Sequence, residues 1–205
     1  MRTLIGFRRV VFAAVAAIVS VTAFAADWVV DTSAKTLTLM DGEAVVWKFN
    51  CSYSGEGGKE ITLTKHVSGS GDIDFNGLPD GYKVVNFGSV FIWNRSGVTS
   101  IVEPNELKVI GVNEFYKSTS LTNLTGCGAV TEIGDSAFQD CNKLRSPMRF
   151  PNCTKLGGGF NGCSSVPEFY FPLVTNIGNN AFGNCSSCTN FGLVWAELMR
   201  IGSDA

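Results

Sequence analysis

Cys185-Ser186-Ser187-Cys188 is the stretch whose residue types and spacing best suit chemistry: two thiols three residues apart can share a zinc ion or close a reactive disulfide. No second pair with metal-ligand spacing accompanies it, and both cysteines also fall on positions of a longer repeat described below. They are therefore read as core residues. His66 is the one histidine, so a Ser-His-Asp or Cys-His arrangement could be built only around it. It stands beside Lys65 after an alternating run and is expected on the solvent side of a strand. Acidic residues are scattered, with no motif pairing two carboxylates as a glycosidase requires. "SGEGGKE" holds Gly and Lys without P-loop spacing. No catalytic, cofactor-binding or metal-binding residue is assigned, and the chain is read as no enzyme.

The elements that must position any other kind of site begin with a segment that is not part of the fold. Arg2, Arg8 and Arg9 precede the apolar run "VVFAAVAAIVSVTAFA", and Ala23-Phe24-Ala25 has the small-x-small pattern of a cleavage site. Residues 1–25 are expected to be a signal peptide, which places the mature chain in a secreted or cell-surface setting. No later apolar run approaches the length of about 20 residues that crosses a membrane. The formal charge of −2 offers no basic surface for nucleic acid or anionic lipid.

Gly 23 with Phe 15 is the unusual part of the composition. Glycine at that level marks many tight turns, and phenylalanine supplies large apolar bodies to pack between them. The reason is an internal repeat. Ile-Gly or Leu-Gly recurs at Ile110-Gly111, Ile133-Gly134, Leu156-Gly157, Ile177-Gly178 and Ile201-Gly202, in steps of 23, 23, 21 and 24 residues. In the same phase come Phe115, Phe138, Phe160 and Phe182, then Ser118, Cys141, Cys163 and Cys185, then Leu121, Leu144, Val166 and Cys188. Short strand-like stretches follow: "TSIVEP", "TNLTGC", "RSPMRF", "PEFYFP" and "TNFGLV". A weaker coil begins at Phe87-Gly88.

A unit of about 23 residues cannot bury its own apolar face, so equivalent residues must stack on those of the next coil. The expected architecture is a β-rich solenoid of about 4–5 coils, with short parallel strands about 4.8 Å apart. A short helical turn per coil is expected near "GDSAF" and "GNNAF", capped by Asp135 or Asn179.

"VTEIGDSAFQDCNKL", Val130 to Leu144, and "VTNIGNNAFGNCSSC", Val174 to Cys188, resemble the unit of the BspA-type leucine-rich repeats. The resemblance covers Val98 to Ala205. "LGGGFNGC" at Leu156 and Ser118 in the cysteine position depart from the pattern. It implies an exported surface or secreted protein that binds a protein or glycan ligand at a cell surface, some such proteins being adhesins. The fold by itself assigns no ligand.

Residues 26–85 lack the repeat. Thr36, Thr38, Val45, Trp47 and Phe49 alternate around the turn "DGE" at Asp41 to Glu43, so a hairpin within a small β module is expected. Its expected role is to cover the first coil; a carbohydrate site using Trp28, Trp47 or Tyr53 is the alternative. The array, 86–205, is expected to be truncated at its C-terminal end, because "RIGSDA" stops where the next Phe is due. The alternative reading of the chain's role is then the N-terminal portion of a larger exported protein whose enzyme or anchor lies downstream. Cys141, Cys163 and Cys185 are expected as an inward ladder of packed thiols, while Cys51, Cys127, Cys153 and Cys188 have no assigned partner. N-glycosylation sequons stand at Asn94, Asn123, Asn152 and Asn184. By strand alternation alone, Ser100, Asn123, Arg149, Glu168, Tyr170 and Asn190 are the candidate binding residues on the exposed face.

Overall fold

Alternating apolar and polar residues build the first sheet of the computed structural model, which describes residues 26–88, 97–193 and 198–205. The proposed signal segment and the sequon at Asn94 lie outside the described residues. Strands β1 (Asp27–Asp31), β2 (Thr36–Asp41), β3 (Ala44–Ser54) and β4 (Glu60–Ser68) pair antiparallel in sequence order. Gly42, with φ +61°, makes the turn between β2 and β3 where "DGE" was expected to place it. Leu37, Leu39, Trp47, Phe49 and Cys51 all face inward. Strand β5 (Gly71–Asp74) leaves this sheet, and β6 (Lys83–Asn86) returns to it parallel to β4.

The excursion at β5 joins the module to the array. β5 pairs parallel with a strand of the following coil, so a segment of the 26–85 region supplies the first strand of the solenoid's outer sheet. Two tryptophans hold it there. The indole N–H of Trp28 donates to the Asp74 carbonyl at 3.1 Å, and that of Trp47 to the Asp72 carbonyl at 3.0 Å. Trp28 stacks on Phe75 at 5.7 Å, Phe75 meets Phe87 at 5.2 Å, and Phe87 meets Phe115 at 6.3 Å. The aromatic core of the module thus runs without interruption into that of the repeats.

Each later coil gives two strands. β7 (Val98–Val102) is followed by β8 (Val109–Ile110), β9 (Asn123–Thr125) by β10 (Glu132–Ile133), and β11 (Met148–Arg149) by β12 (Lys155–Leu156). β13 (Glu168–Phe171) is followed by β14 (Asn176–Ile177), and β15 (Asn190–Leu193) by β16 (Arg200–Ile201). The outer strands form two parallel sheets, β5-β7-β9 and β11-β13-β15, while the Ile-Gly segments form a further sheet in the order β16-β14-β12-β10-β8. The Ile or Leu of each Ile-Gly pair, which marked only register in the sequence, forms a two-residue strand with the residue before it, and the Gly lies just beyond. The outer ladder is interrupted at Ser146-Pro147, because proline has no N–H to give; the Ser146 hydroxyl instead accepts the Leu124 N–H at 3.0 Å.

The helical turn expected after each Ile-Gly is absent, and the hydrogen bonds say why. Glu114, Tyr116 and Ser118 donate their N–H groups three residues back, to Gly111, Asn113 and Phe115. The residues between them, Asn113, Phe115 and Lys117, donate to Asp135, Ala137 and Gln139 of the next coil, at 2.7–3.0 Å. A helix needs every N–H for itself, so alternation between coil and neighbour produces successive tight turns instead. Asn113, Lys117, Ser136, Asp140, Asn180 and Asn184 accordingly adopt left-handed φ values of 52–61°. Asp135 and Asn179 do accept backbone N–H groups, but from Gly158 and Ser203 of the following coil, at 2.9 and 3.1 Å. They tie coil to coil rather than cap a helix.

Stacked columns fill the interior. Phe115 on Phe138 and Phe138 on Phe160 lie 4.9 Å apart and within 7° of parallel, with Phe182 next at 6.3 Å. Such contacts add about 0.5–1.5 kcal/mol per pair to the burial of each ring. The cysteine ladder beside them is equally regular: Cys141, Cys163 and Cys185 donate their thiols to the carbonyls of Phe115, Phe138 and Phe160, at 3.0, 3.0 and 3.2 Å. All seven cysteines are free thiols. At the corner, Gly134, Gly157, Gly178 and Gly202 press backbone against backbone; a Cβ on any of them would stand 2.5–2.7 Å from a backbone atom of the preceding coil.

Candidate functional site: the exposed strand face

Strand alternation places Met148, Phe169 and Phe171 in the core and turns Arg149 and Tyr170 outward. Parallel register then aligns Arg149, Tyr170 and Gly192 across three coils, and Glu168 with Asn190 across two. The Arg149 guanidinium lies 2.8 Å from Glu168 Oε1 and 5.9 Å from the centre of the Tyr170 ring. Glu168 is the more enclosed partner, 19% exposed against 60% for the arginine. Tyr170 lies across Gly192: a Cβ there would be 2.5 Å from the ring's Cδ2. Arg149, Glu168, Tyr170 and Asn190 thus form one patch, in which an ion-paired cation stands beside an aromatic ring laid over Gly192.

Ser100 and Asn123 stand apart from it. They are in register on β7 and β9, joined by a hydrogen bond of 3.1 Å from the Asn123 amide to the Ser100 hydroxyl, and both are half-buried. The interruption at Ser146-Pro147 separates this polar pair from the Arg149 patch. The part played by Gly192 was not foreseen; a glycine inside the strand-like run "TNFGLV" was its signal.

The Ile-Gly corner forms a second surface, an open groove of about 600 Å³ floored by the glycine column. Glu132, Lys155, Asn176 and Arg200 line one side in register, and Lys155 pairs with Glu132 at 2.5 Å. Both partners of that pair are well exposed, so it contributes little to stability.

The remaining candidates are engaged in structure. Trp47 is fully buried and Trp28 is 8% exposed, with both indole N–H groups committed to β5, so neither is free to stack on a sugar. Tyr53 is half-buried and its hydroxyl donates to the Thr36 carbonyl at 3.2 Å. His66 lies on β4 as expected, yet it is half-buried rather than solvent-exposed, because its ring packs 5.5 Å from Trp47 and 5.9 Å from Phe49.

Cys185 and Cys188 serve the core. Cys188 donates to the Asn190 carbonyl at 3.4 Å, and burial pushes the Cys185 thiol up to about 12, opposite to the shift that makes a redox thiolate. Among the described residues, no three His, Cys, Asp or Glu side chains are grouped to hold a metal ion, and no helix is long and apolar enough to cross a membrane.

Short parallel strands, a stacked interior and an open outer face define a leucine-rich repeat solenoid. The family model for the BspA type leucine rich repeat region matches residues 88–205 in six copies, starting where the weaker coil at Phe87-Gly88 starts. The chain belongs to the BspA-type leucine-rich repeat family. It is similar in fold to a leucine-rich repeat protein of T. pallidum, with TM-score 0.57 and 16% identity over 75% of this chain and 83% of that one. It is also similar to a leucine-rich cell surface protein from Faecalibacterium prausnitzii, with TM-score 0.57 and 21% identity over 82% of this chain. The match spans 51% of the length of that protein. No curated protein sequence matches the chain.

Proposed function

We propose that this is an exported, non-catalytic recognition protein that binds a protein at a cell surface through its outer strand face. The observation that carries the reading is the Arg149–Glu168–Tyr170–Asn190 patch. Arginine and tyrosine are the side chains that most often dominate protein interfaces, and here they are ordered before any partner arrives. Ordering in advance lowers the entropy lost on binding. The basic and apolar segment ahead of Ala26 supports export, and the cell-surface protein of similar fold supports the setting. The 26–85 module acts as the cap of the array.

The test is retention of the purified mature chain on immobilised matrix proteins, glycans and whole cells. Tyr170→Ala and Arg149→Ala are each expected to weaken the binding by about 1–2 kcal/mol while leaving thermal unfolding nearly unchanged. Wild-type protein that none of these surfaces retains, or binding untouched by both substitutions, would sink the proposal. Retention on glycans alone would move the function to the carbohydrate alternative.

A further inference from the structure

The coil that begins at β7 departs from its neighbours at two interior positions. One inward column of the outer sheets runs Phe75, Glu103, Gly126, Phe150, Phe171, each following the outward position aligned by the strand register. Glutamate stands where three other coils have phenylalanine. The second column is the residue before the stacked Phe: Ala137, Gly159 and Ala181 in later coils, Glu114 in this one. A single coil therefore carries both exceptions.

Neither carboxyl reaches water. Glu103 is fully buried and Glu114 is 5% exposed. Glu114 Oε2 accepts the Gly111 N–H at 2.6 Å, whereas Glu114 Oε1 and both carboxyl oxygens of Glu103 have no hydrogen-bond partner among the described residues. From the preceding coil, Asn76 bonds the main-chain carbonyl of Glu103 and not its carboxyl. From the following coil the titratable neighbour is the buried Cys127 thiol, and within the coil Glu103 and Glu114 are each other's charged neighbours. No lysine, arginine or histidine among the described residues pairs with either glutamate. An ionised carboxylate left in such a place is strongly disfavoured, so the closed coil holds both groups as neutral acids.

We propose that Glu103 and Glu114 form a proton-operated latch, which keeps this coil closed while both carboxyls are protonated and lets it open locally when they ionise. Burial, with the neighbouring Glu114 adding to it, raises Glu103 well above 4.5, and burial raises Glu114 to about 8. In the open coil both return toward 4.5, the ordinary value. Between these limits the closed form binds more protons than the open form, so rising pH favours opening. The latch is fully closed below about 4.5, loosens as pH climbs, and has lost the Glu114 contribution once pH passes about 8. Each carboxyl contributes up to about tenfold in the opening equilibrium per pH unit within the window. Because repeat arrays are held by nearest-neighbour contacts, one coil can open while its neighbours stay folded.

Amide hydrogen exchange on the mature chain between pH 5.5 and 8, corrected for the intrinsic pH dependence of exchange, tests this directly. Protection at Glu103, Phe115 and Lys117, whose N–H groups bond to the next coil, is expected to fall about tenfold or more per pH unit. Phe138 and Phe160, bonded the same way in later coils, are expected to hold theirs. Glu103→Gln with Glu114→Gln should abolish the slope; if that pair fails to fold, Glu103→Phe with Glu114→Ala installs the residues of neighbouring coils. Glu132→Gln, an exposed carboxylate, should leave the slope intact. Flat protection in the wild type, a fall shared equally by all coils, or a slope that survives in either folded double variant would overturn the proposal.

Discussion

Gly178→Ala and Gly128→Ala make the same chemical change and are expected to have opposite effects. A Cβ on Gly178 would lie 2.7 Å from the Gly157 carbonyl carbon, 2.8 Å from Gly158 N and 2.9 Å from Gly157 Cα, all of them backbone atoms that no rotamer change can move. The coils must part, at an overpacking cost of about 1–3 kcal/mol. Parting also stretches the 2.7 Å bond from Gly178 N–H to the Leu156 carbonyl, worth about 1 kcal/mol. Against this, alanine restricts the unfolded chain and returns about 0.4–1 kcal/mol. The net loss is therefore about 1–3.5 kcal/mol. Gly128 has nothing within 4 Å of its Cβ position and no left-handed φ, so only the unfolded-state term remains, and Gly128→Ala should gain about 0.4–1 kcal/mol. Urea unfolding of both variants, with m held common, should separate their midpoints by about 1 M or more. Gly178→Ala within about 0.5 kcal/mol of wild type would refute the claim that the coils touch backbone to backbone.

Two further changes probe other contacts. Trp47→Phe removes the indole N–H from the Asp72 carbonyl and leaves a gap in the aromatic cluster, so thermal unfolding should show a loss of about 2 kcal/mol. Burial raises Cys141 to about 12 and raises Cys163 well above its ordinary value, so both stay neutral at pH 8 and should react slowly with a thiol reagent. In denaturant without reductant, seven equivalents should label; fewer would reveal a disulfide.

How much was legible in the sequence follows from what kind of contact each feature rests on. Columns of identical residues are visible in a string, because Phe138 meets Phe160 at the same position one coil on. The stacked phenylalanines and the inward cysteines were readable for that reason. The turn after Ile-Gly was not: "GDSAF" has the local features of a helix start, and what defeats the helix is a set of hydrogen bonds to residues some 22 positions away. The Ile-Gly strands were missed on similar grounds, since two residues such as Glu132–Ile133 are too short to show alternation. In the candidate site, alternation correctly turned Arg149 and Tyr170 outward but could not show that Arg149 pairs with Glu168 and covers Tyr170. It also could not show that Ser146-Pro147 divides Ser100 and Asn123 from the others.

The two glutamates show the opposite relation between pattern and structure. Glu103 and Glu114 look unremarkable as residues, and only the columns, Phe75 before one and Phe150 and Phe171 further along, Ala and Gly after the other, make them exceptions. In a stacked array an interior position answers to its two neighbours along the stack, so a polar residue there weakens one coil and leaves the rest alone. Outward positions answer to no neighbour in the core, which leaves Arg149, Tyr170 and Asn190 free to be shaped by a partner. Under the proposed function, stability and recognition are carried by alternate residues of one strand. That separation explains why Met148 and Arg149, adjacent in the chain, are expected to fail in different assays when replaced: the first by unfolding, the second by loss of binding.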